Sequence, residues 1–226
     1  MSNPDGTVFV VDDDPTMRKA LARLCQSAGI RARMFASARE LLDSPAPESP
    51  ACIVLDVQMP GLSGLDLQKE LAAHDIRTPI VFITGHGDIP MSVQAMRAGA
   101  MDFLTKPFHD KDLIEVIREA LKKDVRLTSA RAERETILRR MQALTPRERQ
   151  VFDLVIQGLL NKQIGGLLGA SEETIKVHRR RVMEKMQVPS VAELVQVAVK
   201  ADALKPWDTP LRSRDSIPDG QPASPP

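Results

Sequence analysis

The sequence predicts an α/β domain built on a parallel, doubly wound sheet, followed by a helical linker and an all-helical domain. Three observations carry this. Short apolar runs alternate with amphipathic helical segments five times between residues 7 and 121, the pattern of a parallel sheet covered on both faces, and right-handed crossovers then favour the doubly wound arrangement. Polar side chains stand where four of those apolar runs stop, which places them together on one sheet edge. A fresh helix-start signal at Thr145 opens a stretch of short helical segments with no strand pattern.

The elements follow in order. Thr7 to Val11 reads as the first strand. Asp14-Pro15 supplies an N-cap and a proline at the first helical position, and the helix behind it carries Leu21, Leu24 and Cys25 on one face until Gly29 ends it. Ile30 to Phe35 fits a second strand, and Ser37 with Glu40 forms a capping box for a second helix. Pro45, Pro47 and Pro50 fill a loop before the third strand, whose core Ile53-Val54-Leu55 runs into a single carboxylate, Asp56. Ser63 and Gly64 lead into a helix to about Ala73. Ile80 to Ile83 is a strand stopping at Thr84-Gly85, and a helix from about Pro90 to Ala98 ends at Gly99. Met101 to Leu104 is the fifth strand, ending at Thr105-Lys106-Pro107, and Asp110 caps a helix with Leu113, Val116, Ile117, Ala120 and Leu121 on its face.

Residues 122–143 are charged and free of glycine and proline, which reads as a helical linker. Ile137, Leu138 and Met141 make a partial apolar seam, read as part of a solvated linker rather than a coiled coil. Thr145-Pro146-Arg147-Glu148 combines a capping box with proline at the first helical position, and helices near 146–157, 161–168, 172–186 and 190–202 follow. From Lys205 the chain is rich in proline and poor in apolar residues, which predicts a disordered tail. The expected division is 5–121, 122–143, 144–204 and 205–226.

Composition narrows the function classes. The net charge of +1 hides two halves of opposite sign. Residues 1–121 hold 12 basic and 17 acidic side chains, a net of −5, and residues 122–226 hold 19 and 13, a net of +6. The basic half makes nucleic acid a candidate partner. Cys25 and Cys52 lie in apolar settings without disulfide-framework or metal-ligand spacing, so a reducing cytosol is expected. No apolar run is long enough to span a bilayer, and the N-terminal stretch, with Asp5 and Asp12-Asp13-Asp14, lacks the basic flank of a secretory signal.

Four strand ends carry the chemistry: Asp12-Asp13 on the first, Asp56 on the third, Thr84 on the fourth and Lys106 on the fifth. Three clustered carboxylates repel one another, and a hard divalent cation such as Mg²⁺ relieves that. A carboxylate nucleophile for phosphoryl transfer needs position and charge neutralisation above all. Lys106 and Mg²⁺ would supply the charge, and Thr84 a hydrogen bond to a phosphoryl oxygen. A strand-end aspartate is also a common helix cap, the role expected of Asp14.

Val10-Val11-Asp12-Asp13-Asp14-Pro15, Leu55-Asp56-Val57-Gln58-Met59-Pro60-Gly61, Ile83-Thr84-Gly85-His86 and Phe103-Leu104-Thr105-Lys106-Pro107-Phe108 resemble the receiver domain of two-component response regulators over residues 7 to 121. The resemblance implies a flavodoxin-like five-stranded parallel sheet in the order 2-1-3-4-5. It implies that Asp56 takes phosphate from a phosphohistidine of a sensor histidine kinase. Asp13, Asp56 and the backbone carbonyl of Gln58 would hold Mg²⁺, with Asp12 acting through water. A cis peptide is implied between Lys106 and Pro107, with the ammonium over the phosphate. Thr84 and Phe103 correspond to a switch pair, although plain core packing also accounts for a phenylalanine at 103. Gln58 and His86 occupy positions that tune the lifetime of the phosphoryl group. The helix 90–98 and strand 101–105 face is implied as a homodimer surface.

In the segment Glu172 to Met186, helical spacing puts Ile175, Val182 and Met186 on one stripe, with His178 at its edge as a packed residue rather than a DNA contact. Glu173, Lys176, Val177, Arg180 and Arg181 fall on the other side. Val177 is apolar on a polar face, as a thymine-methyl contact requires, and Lys176 and Arg180 are placed for base edges. Arg181 and Lys162 suit phosphates. The competing reading of this basic run is a solvated face. Leu144-Thr-Pro-Arg-Glu-Arg149, Gly158-Leu-Leu-Asn-Lys-Gln-Ile164 and Thr174-Ile-Lys-Val-His-Arg179 resemble the LuxR-type helix-turn-helix domain over residues 143–204. That implies a four-helix domain whose recognition helix, Thr174 included, enters the major groove of double-stranded DNA, with dimers on paired half-sites. Two features depart from the pattern. Leu160 replaces a small hydroxyl cap, and Gly165-Gly166 interrupts a scaffold helix at about 1 kcal/mol per glycine.

Together the halves resemble a response regulator of the FixJ type within the NarL/LuxR grouping, and the expected function is a DNA-binding transcriptional regulator switched at Asp56. Two rivals stand beside it. An aspartate-nucleophile phosphohydrolase would usually carry a second Asp where Gln58 stands. A DNA binder with a phosphorylation-independent receiver would not need the complete acidic site.

Overall fold

The computed structural model of the chain describes residues 6–85 and 89–203; His86 and the proline-rich tail lie outside the described residues. The chain divides into two compact units between Ala132 and Glu133.

In the first unit, five strands among the described residues, β1 (Thr7–Val11), β2 (Arg31–Phe35), β3 (Ala51–Asp56), β4 (Ile80–Thr84) and β5 (Asp102–Thr105), form one parallel sheet in the order β2-β1-β3-β4-β5. Helices α1 (Pro15–Ser27), α2 (Ala38–Leu42), α3 (Gly64–Ala73), α4 (Ile89–Arg97) and α5 (Asp110–Gln142) connect and follow them. The inner strands β1, β3 and β4 read as continuous apolar runs because each feeds two cores. Phe9, Ile53, Leu55 and Phe82 point to one face with Leu67 and Leu71. Val8, Val10, Val54, Val81 and Ile83 point to the other with Leu113 and Ile117, as the two-residue period of a strand requires. All of β3 is buried. The register Val11 to Leu55, Asp56 to Ile83 and Thr84 to Thr105 brings the strand ends to one edge.

Local signals fix the ends of the helices. Asp14 accepts from the Thr16 amide, and Ser63 accepts from the Asp66 amide. Ser37 accepts from Glu40, but the Glu40 carboxylate reaches back to the Ala36 amide rather than that of Ser37. Gly64 meets a tighter demand. A Cβ there would lie 2.3 Å from the Asp56 carbonyl oxygen, so only glycine lets α3 start against the end of β3.

The second unit holds the C-terminal turns of α5 with α6 (Pro146–Ile156), α7 (Asn161–Leu168), α8 (Glu172–Met186) and α9 (Val191–Lys200). Its core contains Val151, Phe152, Ile164, Ile175, Val182, Met186 and Leu194. Ile137 and Met141 are buried in this same core, so the seam read as solvated linker is apolar because it packs. The Arg140 guanidinium donates to the Met186 carbonyl, and Lys185 donates to the Ala143 carbonyl. Thr145 and Glu148 form the complete capping box. Lys185 lies 2.6 Å from Glu148, and that hydrogen bond, with the Thr145 amide, holds the Glu148 carboxyl down to about 2.

The scaffold helix α7 departs from its sequence reading. Leu160 stands at its N-cap with no side-chain hydrogen bond, and the Gln163 side chain accepts from the Leu160 amide at 2.8 Å, so one arm of a capping box survives. Gly165 is required. A Cβ there would lie 2.7 Å from the Ala170 carbonyl oxygen, where the chain turns into α8, whereas a Cβ on Gly166 meets nothing. Only Gly166 carries an uncompensated propensity cost.

Candidate functional site

The acidic site is assembled at the carboxyl edge of the sheet. Asp12 follows β1 and is fully buried, Asp56 closes β3 and is nearly so, and Asp13 is exposed. Carboxylate oxygens of the three lie within 4.8 Å of one another. Lys106, just past β5, places Nζ 3.0 Å from Asp12 Oδ2 and 3.4 Å from Asp56 Oδ2. Its own amide donates to the Thr84 carbonyl at 2.7 Å, and its peptide to Pro107 is cis, as the resemblance implied. Thr84 is buried at the end of β4.

Electrostatics set the state of these groups. Burial pushes the Asp56 carboxyl above the ordinary carboxylate range, the Lys106 charge pulls it back, and Asp12 pushes it up again. Burial opposes the Lys106 charge, but the hydrogen bond and attraction to Asp12, with Asp56 behind it, raise the ammonium above the usual lysine value. The two carboxylates favour the charged form of Lys106, and Lys106 in turn offsets part of what burial and Asp12 do to Asp56. Asp14 keeps its capping role, its carboxyl lowered first by the Thr16 amide.

The remaining expected residues lie as follows. Gln58 is exposed, and its amide points at Asp56 Oδ1 from 3.5 Å. Phe103 is half-buried, its ring 6.2 Å from that of Phe82 at a tilt of 42°. His86 lies outside the described residues. Sequence reasoning missed Arg18, whose guanidinium donates to the Asp12 carbonyl at 2.6 Å and pins the acidic turn. It also missed Asp124, a buried carboxylate on α5 that accepts from the Ala51 amide at the start of β3. A single charged side chain, in the first turn of α1 or one turn past the apolar face at the start of α5, gave no local signal for either role. Cys25 and Cys52 are buried free thiols, and burial pushes Cys25 up to about 11 and Cys52 further, which disfavours the thiolate at both.

The second unit presents a polar face on α8. Ile175, Val182 and Met186 are fully buried, as the helical spacing requires. Thr174, Lys176, Val177, Arg180 and Arg181 are exposed on α8, and Lys162 on α7. Lys176 pairs with Glu173 and Arg180 with Glu184. The Thr174 hydroxyl lies 2.8 Å from Ser171 Oγ within the N-cap of α8. Arg179, not singled out from the sequence, donates to Asn161 Oδ1 and ties α8 to the start of α7. His178 is half-buried, with Nδ1 unpartnered among the described residues, as befits a packed edge residue.

Residues 8–118 match the family model described as response regulator receiver domain, and residues 142–198 match that of the bacterial regulatory proteins of the luxR family. Nodulation protein W of Bradyrhizobium diazoefficiens is 47% identical over 191 residues, 84% of this chain and 84% of that protein. This chain belongs to the two-component response regulator family. The transcriptional regulatory protein FixJ of the same organism is 43% identical over 199 residues, covering 88% of this chain and 97% of the relative. The solved structure of the response regulator StyR aligns with 47% identity and a TM-score of 0.76, covering 86% of this chain and 98% of that one.

This response regulator is therefore a two-component transcription factor with a LuxR-type DNA-binding domain, not a conventional enzyme, and the phosphohydrolase reading falls away. The receiver implies a kinase partner and the helix-turn-helix implies DNA. Its acidic cluster is of the kind typical of receiver metal sites. The donors are hard oxygens on convergent side chains, which suits a small divalent cation. Among the described residues no helix is long and apolar enough to cross a membrane.

Proposed function

We propose that Asp56 is the phosphoacceptor and that its phosphorylation drives this response regulator to dimerise on DNA. The observation that carries the reading is the position of Asp56: last residue of the buried central strand, with the Lys106 ammonium at 3.4 Å and two further carboxylates within reach. One carboxylate oxygen of Asp56 attacks the phosphorus of a phosphohistidine on a sensor histidine kinase. A P–O bond forms, the P–N bond breaks, and the departing imidazole nitrogen takes up a proton. Asp13, Asp56 and the Gln58 carbonyl, with Asp12 through water, would hold Mg²⁺, which when bound would supply charge neutralisation on the phosphoryl oxygens. Lys106 supplies the second positive charge and Thr84 a hydroxyl donor to the phosphoryl group. Thr84 and Phe103 act as the switch pair, and Gln58 and His86 set the lifetime of the acyl phosphate.

The receiver is assigned to residues 5–121 and DNA reading to 144–204, with residues 122–143 between them. Ile137 and Met141 support the DNA-reading unit from the linker. Exposed Ile89, Val93 and Met96 on α4 support a homodimer surface formed by helix 90–98 and strand 101–105. Lys176, Val177, Arg180 and Thr174 would contact base edges, and Lys162 and Arg181 phosphates. A cytosolic setting suits both partners.

The test is DNA retardation with and without acetyl phosphate and Mg²⁺, for wild type and Asp56→Asn, alongside intact mass. Wild type is expected to gain an acid-labile 80 Da adduct (about the mass of a phosphoryl group) and to bind DNA more tightly, and Asp56→Asn to do neither. Equal binding by both proteins under donor would show that the receiver acts without phosphorylation.

A further inference from the structure

The residues of α3 that face the core are Gly64, Leu67, Gln68 and Leu71. This is the i, i+3, i+4, i+7 stripe of an amphipathic helix, with an amide where an apolar side chain belongs. Gln68 is 5% exposed. Its Nε2 donates to the Ala95 carbonyl of α4 at 3.3 Å. Its Oε1 is buried with no hydrogen-bond partner among the described residues.

The recipient is the thinly held helix of this unit. Ala95 is the buried residue of α4, whereas Ile89 is 80% exposed and Val93 and Met96 more than 40%. The Ala95 carbonyl also accepts from the Ala100 amide, so both bonds meet at the last turn of α4. Leucine or methionine at 68 would pack beside Leu67 and Leu71 with nothing left unpaired, whereas a buried acceptor without a donor destabilises the state that contains it. Packing alone does not account for this amide.

We propose that Gln68 is a latch that holds α4 in its resting position, and that its release accompanies activation. The resting state carries the unpaired Oε1, and a shift of α4 that frees the amide to new partners or to water relieves it. One long hydrogen bond plus one unsatisfied acceptor is a weak hold, which suits an element that must move. The proposal rests on phosphorylation-driven dimerisation through α4.

The experiment compares full-length wild type, Gln68→Met and Gln68→Glu by sedimentation and DNA retardation, with and without acetyl phosphate and Mg²⁺. Gln68→Met loses the latch and the orphan together, and Gln68→Glu sets a carboxylate against the Ala95 carbonyl. Gln68→Glu is expected to dimerise and bind DNA without donor, with resting DNA affinity raised roughly fivefold or more, the scale of a typical coupling between sites, and its further gain on donor should shrink to match. Gln68→Met, which leaves nothing unpaired in the resting position, is expected to keep resting affinity at the wild-type level and to gain less than wild type on donor. Adduct formation at Asp56 keeps its wild-type rate in both. In wild type, hydrogen exchange at the Ala100 amide should accelerate on phosphorylation, a reading that needs no variant. No donor-induced gain in wild type overturns the phosphorylation reading itself. A gain in wild type, with resting affinity unchanged in Gln68→Glu or an Ala100 amide indifferent to phosphorylation, overturns the latch alone.

Discussion

To attack phosphorus as proposed, Asp56 must be ionised, yet its surroundings favour the proton. Burial and the neighbouring Asp12 raise it, and Lys106 alone of the named charges pulls it back. A carboxyl raised in the folded state stabilises that state fully below its unfolded value and loses the contribution as pH rises through the folded value. At neutral pH, without divalent ions, charged Asp56 is therefore a burden on the receiver. Asp56→Asn is expected to raise the thermal midpoint by about 2–5 °C, read by calorimetry in chelator, while abolishing the adduct. Lys106→Met removes the counter-charge and is expected to slow phosphorylation by roughly 100-fold, as loss of one charge-stabilising donor does elsewhere; timed intact mass would show it. Gly64→Ala drives a side-chain methyl into the Asp56 backbone carbonyl, which cannot swing aside as a flexible side chain could. A destabilisation of about 1–3 kcal/mol follows from such overpacking, measurable by urea unfolding.

At the scale of elements, the two glycines of α7 make opposite demands. Gly166→Ala has open space and is expected to stabilise the second unit by about 1 kcal/mol. Gly165→Ala meets the Ala170 carbonyl where α7 turns into α8 and is expected to destabilise it, with weaker DNA binding because α8 is displaced. Chemical denaturation of both variants separates the effects, and a stabilised Gly165→Ala would refute the close-approach account. The start of α6 titrates. Glu148 is pulled from 4.5 to about 2, first by the Lys185 hydrogen bond. A depressed carboxyl contributes stability above its unfolded value, and the contribution fades as pH falls from about 4.5 towards 2. Glu148→Gln should lose roughly 1–2 kcal/mol at neutral pH, the scale of a charge-assisted hydrogen bond, and should flatten acid unfolding in that window.

At the scale of the whole molecule, acidic and basic halves divide the labour of a response regulator, and α5 belongs to both. Its early turns pack Leu113, Ile117, Ala120 and Leu121 into the receiver, and Ile137 and Met141 enter the second unit. Asp124 binds the first amide of β3, the strand that ends at Asp56, so the proposed phosphoacceptor strand and the linker helix are joined directly. If dimerisation is what phosphorylation achieves, the gain in DNA affinity should appear on paired half-sites and vanish on a single one, because only the pair profits from effective concentration. Retardation on both probes decides this. Lys162→Ala and Arg181→Ala should each reduce the slope of log affinity against log salt by about 1.

The sequence by itself determined the order of strands and helices, the caps at Asp14 and Thr145 and the four polar strand ends, because apolar period and capping chemistry are properties of a few adjacent residues. That sufficed to bring Asp12, Asp13, Asp56 and Lys106 together on paper before any distance was known. Only the tertiary structure decided what each of several other residues faces. Gly165 reads as a flaw until Ala170 is seen against it. Ile137 and Met141 read as linker until their core is present, Arg18 as one more surface charge until it meets the Asp12 carbonyl, and Gln68 as a helix residue until its amide is found buried. The physical reason is the same for all four. Close approach, burial and hydrogen-bond partnership are relations between segments distant along the chain, and no window of neighbouring residues contains the other half of the relation.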